Sequence, residues 1–419
     1  MNVLTMKCQN DKEVVMKKPE LMVPASSLEV LKSAVRYGAD AVYIGGEVFG
    51  LRAKAKNFTI EEMKEGVEFA HEARVKVYVT VNILAHNDDL EPALEYIKEL
   101  KDVNPDALII ADPAIFTIVR EVWPEIDIHI STQANNTNYG TYLFWHRLGA
   151  KRVVSARELN LREIREIRDN IPDDMEIETF VHGAMCISYS GRCLLSSFMA
   201  GRDANKGTCT HPCRWKYAVV EESRPGQYMP VEENERGTYI FNSKDLCMIE
   251  HIPELVEAGI DSFKIEGRMK TALYVATVAR TYRMAIDDFF EDPEKYKANI
   301  PKYQELISQC TYRQFTTGFF FGKPDENAQI YDKNEYEKDS VYLGIVESVD
   351  RDIIELTQKN KFKVDDEIEI MKKDGNDIKT KVLSIKDEKG NEMDSCPHPQ
   401  QKIFVELSVV PDVGDILKM

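Results

Sequence analysis

The sequence lacks any apolar run near the ~20 residues of a membrane-spanning helix, and its N-terminus has no apolar core of secretory length. It also lacks the HExxH pattern of zinc proteases and the GxSxG pattern of serine hydrolases. Basic residues are outnumbered, because 54 Lys and Arg face 71 Asp and Glu for a net charge of −17. These absences predict a cytoplasmic protein with no membrane association, no visible hydrolase machinery and no nonspecific adhesion to nucleic acid, which needs local Lys and Arg.

Cysteine is concentrated in one segment of the chain. Four of the eight cysteines form a C-x6-C-x15-C-x3-C pattern, namely Cys186, Cys193, Cys209 and Cys213. In a reducing compartment, clustered cysteines more often hold a metal or do redox chemistry than form disulfides. The isolated Cys8, Cys310 and Cys396 are interpreted as ordinary thiols.

Four thiolates suit either a tetrahedral zinc site or an iron–sulfur cluster. Structural zinc sites typically use C-x2–4-C pairs, and only Cys209 and Cys213 come near that spacing. The spacing therefore favours iron–sulfur over zinc without excluding zinc. A fifth thiol, Cys247, is interpreted as an apolar position of a helix beginning near Asp245, and it is kept as an alternative fourth ligand.

The cysteine segment is basic within an acidic chain. Between Cys186 and Lys216, five cations stand against Asp203 alone, a balance of +4. These cations are Arg192, Arg202, Lys206, Arg214 and Lys216. A local patch of this kind can attract phosphate groups even when the whole protein repels them.

Eight short apolar runs of strand type recur in the first 265 residues: Leu21–Pro24, Ala41–Ile44, Val75–Val81, Ala107–Ile110, Ile126–Ile130, Arg152–Val154, Ile177–Val181 and Ser262–Ile265. Amphipathic helical patterns separate most of them, among them Ile60–Glu72, Leu90–Lys101 and Leu161–Asn170. Strands buried on both faces read as continuous hydrophobic runs, so this α/β alternation predicts a parallel (β/α)8 barrel of the TIM type. A doubly wound open sheet is the alternative.

The strand pattern and the polar stretches divide the chain into segments. We predict an N-terminal tail at 1–18, a TIM-like barrel at 19–322, and a cysteine-rich insertion of about 186–241 after the seventh strand. A polar linker at 323–340 leads to short alternating runs in 341–419. Five or six short strands bounded by turn residues predict a small antiparallel β-barrel there.

Three residues near the ends of the last two strands are candidates for catalysis. In a (β/α)8 barrel the carboxyl ends of the strands form the site face, and His182 ends the seventh run. After the eighth run, FKIEGRMK places Glu266 and Arg268 on one face with Lys264 and Lys270 if the strand continues. Arg268 suits carboxylate or phosphate binding, and Glu266 suits acid–base chemistry. An ion pair that closes the barrel, and a structural role for His182, are the alternatives.

Three stretches of sequence carry a family resemblance: ETFVHGAMCISYSGRCLLSSF, GTCTHPCRW and KIEGRMKTALYVA. They resemble the signature of the collagenase-like peptidase family U32. Within that family the chain is most similar to the bacterial proteins that support tRNA hydroxylation. The resemblance covers about Pro19 to Phe321 together with the small C-terminal β domain of the longer members.

The resemblance implies an enzyme that forms 5-hydroxyuridine at the wobble position of tRNA. It implies a [4Fe–4S] cluster held by Cys186 and Cys193, completed by Cys209 and Cys213 or by Cys247. It also implies prephenate or a related metabolite as the hydroxyl source, and tRNA with an electron donor or a family paralogue as partners. A collagenase-like peptidase and a non-catalytic, zinc-stabilised RNA-binding module are the alternatives.

Overall fold

Eight parallel strands close into a barrel in the computed structural model, which describes residues 3–7, 13–50, 57–186, 188–215, 218–220, 228–230, 244–310, 314–323 and 340–419. The strands are β1 (Glu20–Pro24), β2 (Ala41–Gly45), β3 (Lys76–Val81), β4 (Ala107–Ile110), β5 (Asp127–Ile130), β6 (Arg152–Val154), β7 (Glu176–Gly183) and β8 (Ser262–Ile265). Each pairs in parallel with its neighbour, and β8 closes the ring by pairing with both β7 and β1. The (β/α)8 prediction is confirmed, and the open-sheet alternative is wrong.

Helices cover the barrel and follow the apolar periodicity of the sequence. They are α1 (Leu28–Arg36), α2 (Ile60–Glu72), α3 (Leu90–Val103), α4 (Pro113–Val122), α5 (Tyr139–Arg147), α6 (Leu161–Asp169), α7 (Leu195–Ala200), α8 (Ile252–Glu257), α9 (Ala272–Glu291) and α10 (Pro293–Ser308). Thr59 and Asn160 begin α2 and α6 as capping boxes, each accepting from the amide three residues later. Local capping chemistry thus sets where these two helices start.

A buried ion network fills the amino-terminal end of the barrel. Arg152, the first residue of β6, lies 2.5 Å from Glu20, 2.6 Å from Glu176 and 3.0 Å from Glu178. Lys264 of β8 lies 2.8 Å from Glu178. Burial alone would raise the pKa of Glu20, but the Arg152 guanidinium lowers it below its ordinary value. The network closes this end, so chemistry is left to the opposite, carboxyl end.

The C-terminal region is a second closed barrel with its own hydrophobic core. Its antiparallel strands are β9 (Tyr342–Asp350), β10 (Ile353–Thr357), β11 (Glu367–Met371), β12 (Ile378–Asp387), β13 (Lys402–Leu407) and β14 (Ile416–Lys418). It packs on α1 and α9 of the larger barrel: Tyr37 donates to the Met371 carbonyl at 2.8 Å, and Arg280 pairs with Asp377 at 2.5 Å. The predicted small β-barrel is confirmed.

Two local predictions differ from the structure. Residues 3–7 and 13–17, within the predicted N-terminal tail, pair as an antiparallel hairpin, whose Met16 is buried in the main core. The helix expected near Asp245 is wrong, because Asp245–Cys247 is a short strand that places Cys247 opposite His182 of β7. Backbone pairing with a strand edge outweighs the helical pattern there.

Parts of several predicted segments lie outside the described residues. These are Cys8, most of 216–243 in the insertion, and nearly all of the 323–340 linker. Among the residues that are described, no helix is long and apolar enough to cross a membrane.

Candidate active site at the barrel mouth

Arg268 reaches across the carboxyl end of the barrel. Strand β8 ends at Ile265, so the strand does not continue and Arg268 lies in the loop that follows. Its side chain is buried and donates to Thr80 Oγ1 at 3.1 Å and to Asn57 Oδ1 at 3.0 Å. A Cβ at Gly45 would lie 2.5 Å from Arg268 Nη2, so glycine at the end of β2 makes room for this guanidinium.

Glu266 faces a second guanidinium, that of the partly buried Arg157. The Glu266 amide donates to the His182 carbonyl at 2.8 Å, and Glu266 Oε2 lies 3.9 Å from Arg157 Nη2. Arg157 also donates to the Ala184 carbonyl at 2.9 Å and lies 4.0 Å from the centre of the Phe180 ring. Sequence reasoning missed Arg157 as a site residue, although its place just after β6 is a signal that could have found it.

His182 sits behind the mouth rather than in it. It is 1% exposed, neither ring nitrogen has a hydrogen-bond partner, and the ring packs among Tyr274, Tyr282 and Phe315. Burial, with a smaller contribution from the Lys270 charge, lowers the pKa of His182 to about 3. The imidazole is therefore neutral near pH 7, a state in which it cannot donate a proton as an imidazolium acid.

This burial predicts a pH dependence of stability. The unfolded chain binds a proton at His182 near pH 6.5 while the folded chain does not, so the free energy of unfolding falls as pH drops from 6.5 toward 3. In His182→Phe the slope over pH 6 to 4 is expected to be flatter by about 1 kcal/mol per pH unit. Urea denaturation at several pH values measures this slope. Parallel pH profiles for the two proteins would contradict a lowered pKa at His182.

The cysteine segment leaves the barrel directly after β7. Cys186 is exposed and lines an open cleft of about 420 Å³ with Glu158, Tyr189 and Phe319. Cys209 is also exposed, while Cys193 and Cys213 are partly buried. The seven described cysteines are all thiols rather than disulfides.

Hydrogen bonds tie the start of this segment to the mouth. Arg192 Nε donates to Asn135 Oδ1 at 2.7 Å, and Asn135 Nδ2 donates to the Ser190 carbonyl at 2.9 Å. A Cβ at Gly191, where φ is +74°, would lie 2.9 Å from Gln133 Oε1. The turn between the first two cysteines is thus held against the loop that follows β5.

Cys247 lies in a different environment from the other four candidate ligands. Its sulfur is 4.0 Å from the Tyr282 hydroxyl, and burial raises the pKa of the thiol to about 12. A metal ligand is a thiolate, so a metal bound by Cys247 would have to displace this proton. Burial likewise raises the pKa of Cys310 to about 12.

The donor chemistry of the cysteine segment fits a soft metal or a cluster, since four thiols lie within 28 residues of one another. Their arrangement does not by itself assemble one. Within the described part of the chain, no three His, Cys, Asp or Glu side chains form a group that could hold a metal ion. The ligand set therefore remains a prediction.

Both barrels match models of known protein families. The model of Peptidase family U32 matches residues 26–330, and the model of the Peptidase family U32 C-terminal domain matches residues 338–418. The chain therefore belongs to peptidase family U32, as the sequence resemblance predicted.

Three similar proteins are named for the hydroxylation or modification of RNA. The tRNA hydroxylation protein P1 of Bacillus subtilis is 44% identical, over 95% of this chain and 94% of its own. The tRNA hydroxylation protein P of Escherichia coli is 39% identical, over 91% of this chain and 92% of its own. The 23S rRNA 5-hydroxycytidine synthase of Escherichia coli is 38% identical over 71% of this chain, but the match spans 44% of that protein.

Proposed function

We propose that this chain is an RNA-hydroxylating enzyme that forms 5-hydroxyuridine at the wobble position of tRNA. The observation that carries the proposal is the 44% identity to a tRNA hydroxylation protein over nearly the full length of both chains. A match of that extent includes both barrels, the mouth and the cysteine segment. The name of the rRNA-modifying relative supports the broader class, hydroxylation of RNA.

The mouth suits a small carboxylate as the hydroxyl source, for which prephenate or a related metabolite is our candidate. Two guanidinium groups, that of the buried Arg268 and that of the partly buried Arg157, belong to loops at this end of the barrel. Guanidinium groups bind carboxylates through paired, charge-assisted hydrogen bonds. Glu266, 3.9 Å from Arg157, would hold that guanidinium until the anion binds, and it remains the candidate acid–base group.

A [4Fe–4S] cluster on Cys186, Cys193, Cys209 and Cys213 is the second part of the proposal. Such a cluster supplies one-electron transfer, for which an electron-donor protein or a family paralogue would be the partner. Cys186 and Cys209 are exposed, and Cys193 and Cys213 are partly buried. Cys247 is partly buried, as Cys193 and Cys213 are, and it stays the alternative fourth ligand.

Nucleoside analysis of tRNA tests the function. In a strain that lacks this protein and any second hydroxylation pathway, 5-hydroxyuridine derivatives at the wobble position are expected to disappear, and the wild-type gene is expected to restore them. Mass spectrometry of digested tRNA measures both. Unchanged nucleosides in the deletion strain would reject the proposal.

A further inference from the structure

Large apolar side chains are exposed along the cysteine segment. Phe198 on α7 is 87% exposed, Trp215 is 45% exposed and Tyr189 is 44% exposed. Leu194 and Met199 are exposed as well. Side chains of these types are normally buried, so several exposed ones in 27 residues indicate a binding surface.

Hydrogen bonds hold the parts of this segment together. The buried Ser196 of α7 accepts from the Thr210 amide at 3.1 Å, and its hydroxyl lies 3.2 Å from Thr210 Oγ1. The turn that carries Trp215 follows within five residues of Thr210. Phe198 and Trp215 therefore belong to one folded unit and not to loose ends of chain.

The charge of the segment selects the kind of partner. Between residues 188 and 215 the only acidic side chain is Asp203, and its carboxylate accepts from the Asn205 amide at 2.8 Å. Arg192 and Arg202 are exposed in the same stretch. In a protein of net charge −17, this combination complements a polyanion with flat, stackable groups.

We propose that Tyr189, Phe198 and Trp215, here called the aromatic surface, stack on the bases of an unpaired RNA loop while Arg202 contacts its phosphates. Aromatic rings with neighbouring cations are the usual means of holding single-stranded RNA. The surface is continuous with the mouth, because Arg192 between the first two cysteines is bonded to Asn135. The inference rests on the proposed function and names the part of the tRNA that this segment holds.

Binding measurements on the full-length, anaerobically purified protein test whether the aromatic surface binds an unpaired RNA loop. The probes are a labelled RNA stem–loop and a fully paired duplex of the same length. Phe198→Ala and Trp215→Ala are each expected to weaken stem–loop binding about tenfold, because each removes a ring on which a base would stack. Phe198→Tyr, which keeps a ring, should bind like wild type. Arg202→Ala should lower the slope of log affinity against log salt by about one.

Phe144→Ala is the matched control, since Phe144 is 53% exposed on α5 outside the segment. Equal affinity of wild type, Phe198→Ala and Trp215→Ala would overturn the inference, as would equal losses in Phe144→Ala. No preference for the stem–loop over the duplex would overturn it too. Binding needs no turnover, so these failures are distinct from failure of the nucleoside test.

Discussion

Cys186→Ala and Cys193→Ala are each expected to eliminate cluster assembly and, with it, tRNA hydroxylation. The proposed [4Fe–4S] cluster is held by cysteine thiolates, and these two thiols open the basic segment at the barrel mouth. Iron and sulfide near four per chain in the anaerobically purified wild type should fall to near zero in both variants. Charge-transfer absorption measures the cluster independently and does not depend on turnover.

The matched controls are Cys310→Ala and Cys396→Ala, which remove buried thiols outside the segment and should retain iron. Comparing Cys213→Ala with Cys247→Ala decides the fourth ligand, because only the variant that removes a ligand should lose iron. Full iron content in Cys186→Ala or Cys193→Ala would reject the ligand assignment. Stoichiometric zinc in a colourless wild type would support the zinc alternative instead.

Arg152→Met is expected to destabilise the larger barrel by about 3–5 kcal/mol. The guanidinium lies within 3.0 Å of carboxylates of Glu20, Glu176 and Glu178, and Glu178 is fully buried. Methionine fills a similar volume but leaves these carboxylates with Lys264 as the remaining described cation of the network. Guanidinium denaturation followed by tryptophan fluorescence measures the change in the free energy of unfolding.

An exposed ion pair provides the comparison. Lys98 and Glu95 lie 2.7 Å apart on the surface of α3, and Lys98→Ala is expected to cost less than about 1 kcal/mol. If Arg152→Met lowers the free energy of unfolding no more than Lys98→Ala does, Arg152 does not stabilise the buried carboxylates. The stability measurement needs neither cluster nor RNA.

Much of the fold is readable from the sequence because its strands are buried on both faces. The runs from Ala41, Ala107, Arg152 and Ser262 begin at the predicted residues, and the first two are continuously apolar. Prediction failed at Asp245–Cys247, where three residues carry no periodicity and pairing with β7 decides the conformation. The N-terminal hairpin was missed for a similar reason, because two five-residue strands give a weak pattern.

Site residues were harder to predict than strands. Arg268 and Glu266 were singled out from a strand end, and the structure places both at the mouth. The position of Arg157 and the space that Gly45 leaves for the Arg268 side chain depend on which loops meet above the barrel. The spacing of residues within one segment does not reveal which loops meet. His182 was read as a mouth residue because its strand ends there, but its ring packs toward α9.

By itself, the sequence determined the two barrels, the family and the basic, thiol-rich segment, because each depends on residues close together along the chain. Only the tertiary structure decided that Arg152 closes one end, that Arg157 meets Glu266 at the other, and that Cys247 pairs opposite the buried His182. These outcomes arise when strands far apart in sequence become neighbours. Burial and pairing then fix the charge state of each group, which residue type alone does not determine.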